Sequence, residues 1–320
     1  MGIVVADCVA RPVLRQPQKG RLELVEEVGL YAGGSAASTG YGLARFGIAT
    51  AVVGRVGADG FGDFLLAEAA RHGADASLMR RDPSAATSAT LVIVDQGGER
   101  TFLHAIGANA RLTPDDVPLE SLRGRGASLL HLGGFFGLPG MEGSDGAPAC
   151  RLFEQATRLG FATSLDCLWD PGGRWQTLIG GLLAHTDYFC PSIHEARALC
   201  GLSANAAPDE VARAVLDFGV RGAVALKMGE DGCYLRTAGG EFQQFPVVPV
   251  RVVDGTGSGD AFIAGFLAAL LKGHPPLDAA RYGNAAGAMC VREVGAMAGI
   301  TDWDEAEGLA RRLLTPPPSP

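Results

Sequence analysis

The sequence feature that most limits the possible folds is a glycine-rich break between two apolar segments, VVPVRVVDGTGSGDAFIAGFLAALL at residues 247–271. A run rich in β-branched residues stops at Asp254, three glycines follow, and an apolar helical pattern resumes at about Asp260. This order of strand, glycine loop and helix start places free backbone amides at the positive end of a helix dipole. The segment therefore predicts an anion-binding loop, with the amides of residues 257–259 facing the anion.

Two common nucleotide-binding motifs do not fit this loop. The dinucleotide-binding pattern G-x-G-x-x-G would require glycine where Asp260 stands. The P-loop requires a lysine directly after a glycine, and none of the three lysines has that position. An NAD-dependent oxidoreductase and a P-loop enzyme are therefore not predicted. Taken alone, Asp260 is explained equally well as a catalytic base or as a helix-start carboxylate worth about 0.3–1 kcal/mol.

Strand-like and helix-like segments alternate along most of the chain, which predicts an α/β fold with a mostly parallel sheet covered by helices on both faces. Residues 88–107 depart from this rhythm, because two strand-like runs flank a QGGE turn in the manner of a β-hairpin. The predicted division has three parts. The α/β core comprises residues 1–10, 33–87 and 108–315, a small β-sheet lid comprises residues 11–32 and 88–107, and residues 316–320 form a frayed tail.

Composition narrows the class of protein further. The formal charge of -8 and the absence of a basic cluster predict no nucleic-acid partner. The seven cysteines include no C-x-x-C pair, which is typical of a reduced cytoplasm rather than of a disulfide framework or a zinc site. The apolar run from Ala261 to Leu271 is about half the length of a membrane span, so it predicts a buried core helix. No secretory signal opens the chain, and no membrane partner is expected.

The segment DGTGSGD at residues 254–260 resembles the second signature of the PfkB family of carbohydrate kinases, usually D-T-x-G-A-G-D. Other segments resemble that family in the same order along nearly the whole chain, and the ordered set is far more specific than any single match. They are GIVVAD at 2–7, GGSAAS at 33–38, GRVGADGFG at 54–62, SIHE at 192–195, KMGEDG at 227–232 and GNAAGA at 283–288.

The resemblance implies a ribokinase-like three-layer αβα sandwich with a central, mostly parallel sheet and a small β-sheet lid. It also implies transfer of the γ-phosphoryl group of MgATP to a hydroxyl of a sugar or sugar acid, as in a fructokinase or a 2-keto-3-deoxygluconate kinase. In that reaction Asp260 would accept the hydroxyl proton, while the amides of Gly257, Ser258 and Gly259 would stabilise charge on the phosphoryl group.

The resemblance assigns further residues to ligands. Implied substrate contacts are Asp7, Gly33, Gly34, Ser38 and Asn109, and implied ATP contacts are Ser192, Lys227, Gly229, Gly232, Thr256 and Asn284. Glu195 would act on Mg²⁺ through water. A monovalent cation such as K⁺ would bind Asp254 and the backbone carbonyls of Thr256, Cys290, Glu293 and Gly295.

Some features depart from the family pattern and keep alternatives open. Ser38 and Ser192 replace family asparagines, and a hydroxyl lacks the paired donor and acceptor of an amide. A nucleoside kinase and a non-catalytic sugar or nucleotide sensor therefore remain alternatives.

An acidic sugar would need an arginine in the pocket, for which Arg100 and Arg174 are candidates. The sequence starts where the family's first strand is nearly complete, so that strand is a stub or the natural start lies upstream. The exposed edges of the lid predict a homodimer through it.

Overall fold

The computed structural model describes residues 1–15 and 17–313, and the predicted frayed tail lies outside them. Within the described residues the chain forms twelve strands and eleven α-helices. The strands are β1 (Val5–Val13), β2 (Glu27–Gly33), β3 (Ala51–Gly57), β4 (Asp75–Asp82), β5 (Ala89–Asp95), β6 (Arg100–Ala105), β7 (Leu129–Phe135), β8 (Ala162–Cys167), β9 (Tyr188–Phe189), β10 (Ala223–Lys227), β11 (Cys233–Thr237) and β12 (Phe242–Phe245). The helices are α1 (Ser35–Arg45), α2 (Gly60–Arg71), α3 (Leu119–Gly124), α4 (Pro139–Glu142), α5 (Ala147–Arg158), α6 (Trp175–Leu183), α7 (Ile193–Cys200), α8 (Pro208–Leu216), α9 (Ser258–Leu271), α10 (Pro276–Cys290) and α11 (Trp303–Arg312).

The central sheet is continuous once the first three residues are included. Six strands have the order β12-β11-β10-β9-β8-β7, parallel from β7 to β10 and antiparallel beyond. Next to β7, the Ile3 amide donates to the Gly133 carbonyl at 3.2 Å, and the Gly2 amide donates to Val53 of β3 at 3.1 Å. The parallel pair β3-β4 then completes the sheet. The predicted mostly parallel sheet is confirmed.

Helices cover both faces of this sheet, because successive residues of its strands point to opposite sides. On β10, Ala223 and Ala225 pack in an apolar cluster with α1, α9 and α10. Val224 and Leu226 pack in a second cluster with α5, α6 and α8. The three-layer αβα architecture is therefore confirmed.

Helix α9 lies deep in the first cluster, and the residues from Ala261 to Ala269 are all buried. Its partner α10 approaches so closely that a Cβ at Gly265 would lie 2.4 Å from the Tyr282 carbonyl oxygen. Residues 261–271 thus form the predicted core helix. In the described part of the chain, no helix is both long and apolar enough to cross a membrane.

A second sheet, called the small sheet here, has the order β2-β1-β5-β6. Strands β5 and β6 form the predicted antiparallel hairpin. The predicted boundary after residue 10 falls inside β1, which belongs to the small sheet from Val5 onward. The sequence therefore passes from the central sheet to the small sheet within residues 3–5.

The two faces of the small sheet differ in composition. Cross-strand pairing places Tyr31, Asp7, Thr90 and His104 in one row on the inner face. The next row lies on the outer face and consists of Leu30, Cys8, Leu91 and Leu103. Of these, Leu91 and Leu103 are 54% and 62% exposed. In these two rows the polar groups face the interior of the molecule and the apolar groups face outward.

Candidate active site

A cavity of about 560 Å³ separates the inner face of the small sheet from the start of α9. We call it the acceptor cavity. From the small sheet it is lined by Asp7, Thr90 and His104, and from the other side by Ser35 and Asp260. Two carboxylates that are 253 positions apart in the sequence therefore face one space.

Asp7 lies on β1 between Tyr31 and Thr90 of the neighbouring strands. A Cβ at Gly33 would lie 2.1 Å from the Asp7 carboxylate, so only glycine at position 33 leaves room for this side chain. Gly34 has φ 89°, and a Cβ there would lie 2.6 Å from the Ile3 carbonyl oxygen. Burial raises the pKa of Asp7 to about 6, although a hydrogen bond with Thr90 opposes the shift. Asp7 is thus a poorly solvated carboxylate that faces a cavity.

The glycine-rich loop turns into α9 as the sequence predicts. Gly257 has φ 75° and is the N-cap, where a Cβ would lie 2.4 Å from the Ala296 carbonyl oxygen. Asp260 lies in the first turn of α9 and is partly exposed to the cavity. Protein atoms around its carboxylate still exclude water, and this burial raises the pKa of Asp260, while Lys227 and the hydroxyls of Ser35 and Ser38 lower it. The Asp260 carboxylate therefore lies at the same helix end as the Gly257 and Gly259 amides, whereas the Ser258 amide donates to the Gly255 carbonyl at 3.3 Å.

Ser38 is buried on α1, and its hydroxyl oxygen has no partner at hydrogen-bond distance among residues 1–15 and 17–313. It is nevertheless near enough to Asp260 to lower the pKa of that carboxyl group. Ser38 therefore lies beside the acceptor cavity without lining it.

A second cavity of about 320 Å³ lies on the other side of the loop. We call it the nucleotide-side cavity. It is lined by Lys227, Gly229, Gly232, Ser258, Gly259, Phe262 and Asn284, and by the apolar residues Val247, Val248, Val250 and Val252. The Asn284 amide donates to the Phe245 and Pro246 carbonyls at 3.3 and 2.9 Å, and so fixes the backbone that leads into this wall. Thr256 lines the acceptor cavity rather than this one.

Three carboxylates surround the ammonium group of Lys227 at the end of β10. Lys227 donates to Asp166 of β8 at 2.7 Å. Burial alone would lower the pKa of Lys227, but the charges of Asp166, Glu195 and Asp260 raise it. Burial raises the pKa of Asp166 to about 7, against the attraction of Lys227. One positive charge among three acidic groups leaves an excess of negative potential beside the loop.

Ser192 and Glu195 form a capping box at the start of α7. The Ser192 hydroxyl accepts the Glu195 amide at 3.2 Å, and the Glu195 carboxylate accepts the Ser192 amide at 2.6 Å. Serine caps a helix as well as asparagine does, so the departure at this position has a local structural explanation. Neither residue lines the nucleotide-side cavity, and no group of three or more His, Cys, Asp or Glu side chains in residues 1–15 and 17–313 is arranged as a metal site.

Asp254 is held by three donors. Its Oδ1 accepts the Thr256 amide at 2.8 Å and a guanidinium nitrogen of Arg100, and its Oδ2 accepts the Gly295 amide at 3.0 Å. Although burial alone would raise the pKa of Asp254, these donors lower it. The Cys290 thiol lies 3.3 Å from the Thr256 carbonyl oxygen, which the resemblance assigns to a monovalent cation. Both carboxylate oxygens already accept hydrogen bonds, and Oδ1 accepts one of them from a guanidinium group, so the residues do not fit an additional cation here.

Two further sequence candidates lie away from the acceptor cavity. The Asn109 amide binds the backbone directly before β1, since it accepts from the Val4 amide at 3.2 Å and donates to the Val4 carbonyl at 3.0 Å. Arg174 pairs with Asp170 at 3.1 Å and lies 3.6 Å from Glu142. The geometry gives Asn109 a structural role and assigns Arg174 to a different part of the surface.

Four side chains near the two cavities were not expected from the sequence, namely Asp166, Thr90, Ser35 and His104. Asp166 occurs next to the carboxyl end of the buried strand β8, a position where ligand-binding groups of α/β sheets often lie. Thr90 and His104 are the polar members of alternating strand patterns in the hairpin. These positional signals are in the sequence, but many structural polar residues share them.

Comparison with known proteins assigns the family. Residues 1–303 match the model of the pfkB family carbohydrate kinase. An uncharacterized sugar kinase of Archaeoglobus fulgidus is 32% identical over 81% of this chain and 98% of its own. The Arabidopsis thaliana ribokinase, solved with ribose and ATP, superposes with a TM-score of 0.81 at 26% identity over 97% of both chains. A putative ribokinase II of E. coli, solved with ATP and Mg²⁺, gives 0.80 at 25% identity, again over 97% of both chains.

The fold and the matches define a phosphotransferase that acts on an alcohol group. More particularly, the chain belongs to the pfkB family of carbohydrate kinases and is a sugar kinase with the ribokinase fold. The resemblance carried by the ordered sequence motifs is therefore confirmed.

Proposed function

We propose that this sugar kinase transfers the γ-phosphoryl group of MgATP, bound in the nucleotide-side cavity, to a hydroxyl of a sugar bound in the acceptor cavity. One observation carries the proposal. Asp7 and Asp260 line the acceptor cavity, whereas Ser258 and Gly259 of the same loop line the other cavity. Phosphoryl transfer requires the phosphate donor and the acceptor hydroxyl to be in line, with charge-stabilising groups between them. The glycine-rich loop lies between the two cavities, so its amides are candidates for these groups.

In this proposal Asp260 accepts the proton of the sugar hydroxyl. Its raised pKa improves its basicity, and a positioned base contributes about 10²- to 10⁴-fold to the rate. The amides of Gly257, Ser258 and Gly259 stabilise charge on the phosphoryl group, for which a single donor is worth about 10²- to 10³-fold. Asp7 orients the sugar by accepting hydrogen bonds from other hydroxyls.

ATP would contact Lys227, Gly229, Gly232 and Asn284, all of which line the nucleotide-side cavity. Support for ATP comes from the two ribokinases solved with it, and support for Mg²⁺ comes from the E. coli structure and from the negative potential around Lys227. Glu195 and Asp166 would hold Mg²⁺ through water, and the bound ion would neutralise phosphate charge. Ser192 would act indirectly, because it fixes the Glu195 carboxylate through the capping box.

The charges of the acceptor cavity favour a neutral sugar, such as the hexose of a fructokinase, over the sugar acid of a 2-keto-3-deoxygluconate kinase. Arg100 lines the cavity but is paired with Asp254, and Arg11 is paired with Glu27 at 2.6 Å. Asp7 and Asp260 add negative charge to the same space. A carboxylate on the sugar would therefore meet no unpaired arginine among the described residues that line the cavity.

A nucleoside is the second candidate substrate, and the apolar part of the acceptor cavity favours it. Val9, Val92, Val94 and Phe102 line the region beyond Asp7. A volume of about 560 Å³ is within the range of pockets that hold drug-sized ligands, so the cavity has room for a sugar that carries a base.

The test is an ATP-consumption screen over neutral hexoses and pentoses, keto-sugar acids and nucleosides, with product identified by ³¹P NMR. We expect turnover on a neutral sugar and weaker turnover on the matching sugar acid. Preferred turnover on a nucleoside would establish the second candidate. Binding of sugar or ATP without turnover on any compound would instead favour the non-catalytic sensor.

We further propose that the small sheet is a lid over the sugar and joins two copies of the chain in a homodimer in the cytoplasm. The exposed apolar row that contains Leu91 and Leu103 would be covered by the same row of the second copy. Sedimentation should show a dimer, and Leu103→Glu should convert it to a monomer. A monomeric wild-type protein at micromolar concentration would exclude the dimer.

A further inference from the structure

The ion pair between Arg100 and Asp254 joins two parts of the molecule that are far apart in the sequence. Arg100 begins β6 in the small sheet, and Asp254 lies 154 positions later, directly before the glycine-rich loop. Both side chains line the acceptor cavity. The pair therefore connects the wall that faces the sugar with the loop that faces the phosphate.

Asp254 organises the entrance to that loop. Through the Thr256 amide it fixes the turn that leads to Gly257, and through the Gly295 amide it holds the segment against which Gly257 packs. The carboxylate side chain is only 12% exposed, and a carboxylate so shielded from water needs positive partners to stay ionised. Arg100 supplies a full positive charge to a group that otherwise receives two neutral amide donors.

We propose that Arg100 is a positioning residue for phosphoryl transfer: its guanidinium group, carried by the small sheet, holds Asp254 and thereby orders the loop of residues 255–259, so that no monovalent cation is needed there. This inference rests on the proposed kinase function. It also accounts for the poor fit of a cation to Asp254, since the guanidinium group occupies the Oδ1 side of that carboxylate.

The experiment compares wild type with Arg100→Met, Arg100→Lys and the control Arg15→Met. Arg15 belongs to an exposed ion pair with Glu23, at 2.9 Å, between β1 and β2. Turnover is measured with and without KCl, with tetramethylammonium chloride keeping the ionic strength constant. Amide hydrogen exchange at Thr256 and Gly295 is measured in the same proteins without substrate, because both amides donate directly to Asp254.

For the wild type and for Arg15→Met we expect KCl to change kcat by less than about twofold. Without KCl, Arg100→Met should lose about ten- to a hundredfold in kcat, which is the effect of losing a hydrogen bond to a charged group, and its KM for sugar should change less. KCl should partly restore kcat in Arg100→Met, and Arg100→Lys should have intermediate activity. The Thr256 and Gly295 amides should exchange faster in Arg100→Met and more slowly again when KCl is added.

Two results would overturn the proposal: activation of the wild type by KCl by about tenfold or more, or unchanged amide exchange and turnover in Arg100→Met. If the wild type phosphorylates no sugar or nucleoside, the proposed function fails. In that case the exchange data alone still decide whether Arg100 orders the loop.

Discussion

The two cavities on either side of the glycine-rich loop differ in their charged groups. Both have largely apolar walls, but the acceptor cavity also carries several ionisable side chains, among them Asp7 and Asp260, and many of its residues come from the small sheet. The nucleotide-side cavity is lined mainly by apolar residues and glycines of the core, with Lys227 as its buried ammonium. Under the proposed function, charge and proton transfer act on the sugar side, whereas shape and backbone geometry hold the nucleotide. Variants on each side should therefore fail in different ways.

The largest effect should come from Asp260→Asn. The amide cannot accept the hydroxyl proton, so kcat should fall about 10²- to 10⁴-fold while the KM values for sugar and ATP change much less. Steady-state kinetics on the substrate found by the screen provide the measurement. Asp63→Asn is the matched control, because Asp63 is also an acidic residue in a first helical turn, that of α2, and should alter kcat less than twofold. Near-normal turnover in Asp260→Asn would show that Asp260 is not the base and only stabilises the start of the helix.

Lys227→Met should lower the free energy of unfolding and also raise the KM for ATP. Removing the ammonium group leaves Asp166 buried without its ion partner, a change that typically costs about 3–5 kcal/mol in the free energy of unfolding. Urea unfolding measures this loss. The double variant Lys227→Met with Asp166→Leu should regain most of the stability yet keep a raised KM for ATP and low turnover. Recovery of full activity in the double variant would show that Lys227 is structural only.

Comparison of Gly257→Ala with Ser258→Ala distinguishes the contribution of the loop's backbone amides to kcat from that of the Ser258 side chain. Alanine at 257 is disfavoured at φ 75° by about 1–2 kcal/mol, and its Cβ would collide with the Ala296 carbonyl oxygen. We expect the displaced amides to lower kcat by about 10- to 100-fold. Ser258→Ala leaves the amide in place and should keep kcat within about threefold. Equal losses in the two variants would assign the charge stabilisation to the Ser258 hydroxyl.

The smallest effect is a pH dependence of the sugar side. Burial raises the pKa of Asp7 to about 6, and only the ionised carboxylate accepts hydrogen bonds from sugar hydroxyls through both oxygens. The association constant for sugar, measured without ATP so that proton transfer to Asp260 does not contribute, should therefore be constant well above that pH and fall as the pH decreases through about 6. Asp7→Asn should lower this constant throughout and remove the transition. A wild-type profile that stays flat from pH 7 to 5 would contradict the assignment.

The parts of the fold that depend on local pattern could be predicted from the sequence. The hairpin of β5 and β6, the core helix over residues 261–271 and the glycine loop before it all lie where composition and spacing place them. Contacts between distant segments could not be predicted, because residue type does not reveal a partner. The pair of Lys227 with Asp166 joins positions 61 apart.

The direction of individual side chains also could not be predicted from the sequence. Asn109 follows the hairpin and was expected at the substrate, but the structure turns its amide to the backbone of Val4. The start of the small sheet was also hidden, since residues 2–7 read as one uninterrupted strand end whereas the chain leaves the central sheet near residue 4. A periodic pattern identifies a strand but not the sheet in which it pairs.

The passage of the chain from the central sheet into β1 has a consequence for how such an enzyme diversifies. Asp7 and many other residues around the acceptor cavity belong to the small sheet, while the helix that carries Asp260 is fixed in the closely packed core. Apart from changes at Arg100, which pairs with Asp254, inherited changes in the small sheet can therefore alter which molecule is accepted without disturbing the helix that carries Asp260. Substrate choice and reaction chemistry can evolve at different rates within one polypeptide.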